Sequence, residues 1–120
     1  VKTPIEAAAV LMISTARLTD ARHIDDNSEA EIIKQLHQNM QLDRDHADGL
    51  YRQMRSLTHH VVLPENALFP MLKILQSSID RQDGEELARM LDAVANASQS
   101  INSEQKEFIR RYRERMNLLG

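Results

Sequence analysis

Apolar positions in this chain recur at helical spacing. The densest run, "AAAVLMI" from Ala7 to Ile13, is apolar on nearly every face. A helix that is hydrophobic all round belongs inside a domain. The pattern therefore predicts a buried central helix reaching about Leu18. Its start is also marked: Thr3 is a capping residue, Pro4 suits the first helical position, and Glu6 stands where a capping box needs it.

Amphipathic stripes follow. Ile32, Ile33, Leu36 and Met40 mark a second helix, and Asp26 and Glu29 have capping-box spacing at its start. Ala47, Leu50, Tyr51, Met54 and Leu57 mark a third, opening near Asp43, with Gly49 an unfavourable interior residue. "THHVVLPENALFP" breaks the rhythm. Pro64 and Pro70 punctuate it, and Val61 to Leu63 reads as extended or as a short turn. A helix is expected over about Leu68 to Ser78. Another, opened by a capping box of Asp83 and Glu86, should reach about Ala97. The last should run from Asn102 or Ser103 to Leu118, with Gly120 ending it. The reading is all-α: a single bundle of about six or seven helices around a buried first helix.

The chain also echoes itself. "EAEIIKQLHQNMQL" (Glu29 to Leu42) aligns without gaps on "QKEFIRRYRERMNL" (Gln105 to Leu118). An Ala-rich helix and a polar turn with one isoleucine, Ile24 or Ile101, precede each. This predicts two related helix-turn-helix units, about Ala9 to Leu42 and Leu87 to Leu118, each burying its stripe against the other.

Two stretches, "VANASQSINSEQKEFIRRYRERMNL" and "TARLTDARHIDDNSEAEIIKQL", resemble the tellurite-resistance TerB-like domains. That family of small helical bacterial proteins carries a turn of the form A-D-G-x-I-x-x-x-E, often in both halves. The resemblance implies a stress-associated module. Its acidic residues, seven apart, could bracket a divalent cation or meet a partner's basic group. This chain departs from the pattern. In the second half Ser98 and Gln105 replace the acids, and Gln99 replaces the glycine. In the first half Asp20 and Glu29 lie nine apart, while Ala21 and Ser28 hold the family spacing.

Composition narrows the choices. Residues 1–120 suffice for one domain with its own core. The first residue is Val1, and a fragment of a longer chain fits the reading. No cysteine is present, which removes disulfides, thiolate metal sites and cysteine nucleophiles. A net charge of -3 and 3% aromatics argue against a nucleic-acid partner. The longest apolar run is far below the ~20 residues of a spanning helix, so no direct membrane insertion is expected. The expected setting is the cytoplasm, or a soluble domain of a membrane-anchored protein.

Candidate chemistry is sparse. Asp20, Asp25, Asp26 and Glu29 form the strongest candidate for a calcium or magnesium site, but without calcium-loop spacing. Helix capping explains the same residues, so no cofactor is favoured. His59 and His60 are adjacent and would not share a helix face; His23 and His46 belong to no metal motif. There is no phosphate loop and no nucleophile motif, so no enzyme is expected. Lys106, Arg110, Arg111, Arg113 and Arg115 make the last helix basic, and Glu107 and Glu114 dilute it into a solvated face. The methionines read as core. The expected role is a non-catalytic module that binds a protein partner. The alternative is a divalent-cation-binding domain using the first acidic turn. The second turn is expected to be a structural joint: Ile101 inward, Asn102 or Ser103 capping, Gln105 bracing, and Ser98 holding the preceding helix end.

Overall fold

The computed structural model describes residues 1–19, 22–59, 64–98 and 101–118. They form six α-helices: α1 (Pro4–Arg17), α2 (Asp26–Asn39), α3 (Arg44–Leu57), α4 (Leu68–Gln76), α5 (Arg81–Ala97) and α6 (Ser103–Arg115). A 3-10 turn, Pro64–Ala67, leads into α4. There is no strand among the described residues. The expected extended stretch at Val61 to Leu63 lies outside them, as does Gly120.

The all-apolar helix is the axis of the bundle. Every residue of α1 from Ala7 to Ala16 is buried, and α1 touches each of the other five helices. Its capping box forms as expected: Thr3 Oγ1 accepts the Glu6 N–H, and the Glu6 carboxylate accepts the Thr3 N–H at 3.1 Å. The backbone N–H of Lys2 and the Thr3 hydroxyl and N–H hold the Glu6 carboxyl below its ordinary value. Around α1, the stripes of the other helices turn inward: Ile32 and Leu36, Tyr51 and Met54, Leu72 and Leu75, Leu87 and Leu91, Phe108 and Tyr112. Burial of each such side chain stabilises the fold by about 1.5–3 kcal/mol. Leu57, expected on the stripe of α3, is instead 59% exposed at the end of that helix.

Several boundaries differ from the sequence expectation, each for a local reason. The cap of α2 is Asp25 rather than Asp26; its carboxylate accepts the Ser28 N–H at 2.7 Å. The cap of α5 is Asp80 rather than Asp83, accepting the Asp83 N–H at 2.8 Å. In each case two acids stand near one cap and the earlier one takes it, which lengthens α2 by one residue and α5 by three. The last helix stops at Arg115, short of Leu118. Asn117 adopts a left-handed conformation (φ 59), its N–H bonds to the Glu114 carbonyl, and the Leu118 N–H bonds back to Arg113. That is a Schellman closure, with asparagine in the place usually held by glycine.

The internal echo reaches into backbone detail. α2 and α6 end on Met40 (φ -108, ψ 7) and Met116 (φ -91, ψ 6). The next residues, Gln41 (φ 57) and Asn117 (φ 59), are both left-handed. Leu36 and Tyr112 hold equivalent, fully buried positions, and Ile24 and Ile101 are both half-buried against the core. The two units differ at their turns, where Asp25 caps one residue earlier than Asn102 does on the aligned scale.

Candidate functional site

The first acidic turn is a brace between helices. Asp20 lies outside the described residues. Asp25 is committed to the N-terminus of α2, and Asp26 is exposed in its first turn. Glu29 reaches across to α3, where its carboxylate accepts the Tyr51 hydroxyl at 2.9 Å and the Arg55 guanidinium at 3.1 Å. Arg55 also lies over the Tyr51 ring, 5.4 Å from its centroid. Burial, together with the bond to Glu29, pushes Tyr51 up to about 12. Arg17, at the end of α1, extends the brace by donating to the Thr58 carbonyl (3.0 Å), the Thr58 hydroxyl (2.7 Å) and the Arg55 carbonyl (3.1 Å). It thus caps the C-terminus of α3, a favourable place for a cation. Burial lowers its pKa from the ordinary arginine value. Among the described residues no three His, Asp or Glu side chains converge as metal ligands would.

The second turn is built as a joint. Gln99 and Ser100 lie outside the described residues. Asn102 caps α6 and Gln105 completes a reciprocal capping box. Both amides then reach α1: Gln105 Nε2 donates to the Thr15 carbonyl at 3.0 Å, and Asn102 Nδ2 donates to the Leu18 carbonyl at 2.6 Å. Gln105 is 0% exposed. Ser98 Oγ donates to the Ala95 carbonyl at 2.7 Å, closing the end of α5. Two neutral amide donors therefore reach carbonyls at the C-terminus of α1: Asn102 bonds to that of Leu18, and Gln105 adds a second bond to that of Thr15, which also accepts the Leu18 N–H at 3.3 Å. Arg22, itself left-handed (φ 52), lies 3.8 Å from both Glu65 and Glu104 and links the two turns by ion pairs.

The remaining candidates are surface features. His46 bonds to Asp43 at 2.8 Å within the cap of α3, His23 is exposed, and His60 lies outside the described residues. The basic face of α6 is largely self-neutralised. Arg110 bridges Glu107 (2.7 Å) and Glu114 (2.8 Å), Arg111 also reaches Glu107 (3.2 Å), and Arg113 reaches Asp92 (2.7 Å). The Arg110 bond above all holds Glu107 down to about 2.

Sequence reasoning missed Phe69. It stands 57% exposed on α4, while Leu68, Met71, Leu72 and Leu75 take the buried stripe. Its off-stripe position in "LFPMLKILQ" was the available signal. The Arg115 guanidinium lies 5.0 Å from the centroid of the Phe69 ring. Phe69 borders a groove of about 410 Å³ between α4 and α6, with Leu68 and Leu72 at its base and Arg110, Arg111 and Glu114 along its side. A smaller pocket, about 260 Å³, opens between the N-terminal ends of α1 and α5. Its floor is Ile5, Ala8, Met40, Leu75 and Leu87, and Asp83 and Glu86 stand at its rim. No helix among the described residues is long and apolar enough to cross a membrane. No family model, curated protein or solved structure matches the chain, so the likeness to TerB-like domains rests on its two turns.

Proposed function

We propose that this chain is a non-catalytic helical module of TerB-like kind, stress-associated in bacteria, that binds a protein partner through its α4–α6 face. The observation that carries the reading is Phe69: a large aromatic side chain, more than half exposed, beside a groove with an apolar base and charged sides. An aromatic anchor with a polar rim is the usual anatomy of a protein interface. Binding is favoured over cation uptake at the first turn because Asp25 and Glu29 are already engaged by donors of the chain itself.

The test is site-specific photo-crosslinking in the source cells, with the crosslinker at Phe69 and, as control, at the exposed Gln53 of α3. The expected result is a discrete adduct from the Phe69 position that Arg111→Glu weakens. Equal labelling from both positions, or none from Phe69, would overturn the reading.

A further inference from the structure

We propose that the partner at this face is a second copy of the chain, with Phe69 of each copy entering the pocket between α1 and α5 of the other. The inference rests on the reading of the α4–α6 face as a protein-docking surface and names its occupant.

The pocket defines what it accepts. At about 260 Å³ it falls below the ~300–1,000 Å³ of sites for drug-sized ligands, so it suits one or two side chains. Its floor is apolar, which asks for a hydrophobic group. Its rim is anionic: Glu86 is paired with Arg89 at 2.6 Å, while Asp83 has no ion pair among the described residues. The matching group is an apolar side chain carrying a cation beside it.

Phe69 and Arg115 supply that group. The ring is exposed, and the guanidinium above it has no carboxylate partner among the described residues. A shallow depression joins the two features. Arg115 lines both it and the groove beside Phe69, and Ile79 lines both it and the pocket. Knob and hole therefore lie along one continuous surface. That arrangement lets two copies exchange knobs about a two-fold axis, with Arg115 of each facing Asp83 of the other. Isologous pairing of this kind is the commonest way for a protein to self-associate. With 57% of its surface open, each Phe69 can bury roughly half of the ~150–250 Å² of an aromatic side chain on docking.

The experiment is analytical ultracentrifugation of the parent over a dilution series, alongside Asp83→Arg, Arg115→Glu and the double variant. Both positions are exposed, and far-UV circular dichroism checks that each variant folds. The parent is expected to dimerise reversibly. Each single variant, placing like charges together, should weaken the dimer by at least about tenfold. The double variant restores opposite charges and should recover most of that loss. A parent that stays monomeric throughout, singles that dimerise like the parent, or a double variant impaired by both losses would overturn the proposal. A monomeric parent whose Phe69 position still crosslinks to a different protein would overturn self-pairing alone. A monomer with no crosslink would overturn both.

Discussion

Gln105→Glu changes the chemistry of one side chain while keeping its size, at a position where the structure leaves no freedom. The wild-type amide is fully buried. Its nitrogen donates to the Thr15 carbonyl at 3.0 Å, and its oxygen accepts the Asn102 N–H. A glutamate can keep the second bond but not the first, because a carboxylate oxygen would face a carbonyl oxygen. The protonated acid, by contrast, can donate to Thr15. Buried glutamates reach pKa values of about 8–9, against about 4.3 in an unfolded chain. With a folded value of about 8, keeping the group protonated from 4.3 up to pH 7 costs about 3–4 kcal/mol. That is a large share of the ~5–15 kcal/mol that holds a domain together. The sign follows from proton binding. Between the unfolded and folded pKa values the native state holds the extra proton, so stability falls as pH rises. The measurement is urea unfolding followed by circular dichroism, variant against parent, from about pH 4.5 to 8. The deficit should be small at the acid end and grow with pH. Gln105→Leu should instead lose about 1–3 kcal/mol at every pH, since it removes the hydrogen bonds without introducing a charge. A glutamate variant as stable as the parent at neutral pH, or a deficit that does not change with pH, would refute the reasoning. The same measurement with calcium bears on the spacing argument. Stability regained on adding calcium to Ser98→Asp/Gln105→Glu, and not to the parent, would show that the family-like acids suffice for a cation site.

Leu11→Ala should cost about 2–5 kcal/mol in the same unfolding assay, because Leu11 is 0% exposed at the centre of the bundle; a loss well under 1 kcal/mol would contradict that placement. Both tyrosines should form phenolate above the ordinary value in a spectrophotometric titration, since burial raises Tyr51 to about 12 and also pushes Tyr112 up. The stability this neutral form provides is intact below about pH 10 and lost as pH rises through the folded values; titration of either group at its ordinary pKa would show that it is not enclosed as described.

Much of the architecture could be read along the chain because it is set by local spacing. The apolar run from Ala7 to Ile13 excluded a surface helix. The capping box of Thr3 and Glu6, the cap of α3 at Asp43 and the inward stripes follow from neighbours three or four residues apart, which a sequence displays directly. The second turn was legible for the same reason: Asn102 and Gln105 are three apart, and their neutrality could be seen at once. Where two capping acids stood close together, the spacing to a glutamate three residues on pointed to the later one, Asp26 or Asp83. The chain caps with the earlier acid in both places, Asp25 on the Ser28 N–H and Asp80 on the Asp83 N–H.

What the tertiary structure alone decided depends on residues far apart in the chain. Glu29 looked like a partner for the other acids of its turn, but packing α2 on α3 gives it Tyr51 and Arg55, 22 and 26 residues away. Gln105 looked like a local brace. Its larger role, a bond to Thr15 across 90 residues, exists because α6 begins where α1 ends. The periodicity of α4 put Phe69 outside the stripe, yet only the approach of α6 sets Arg115 over its ring. Spacing along a helix determines which side chains face inward; which charges and rings then meet is determined by how the helices pack.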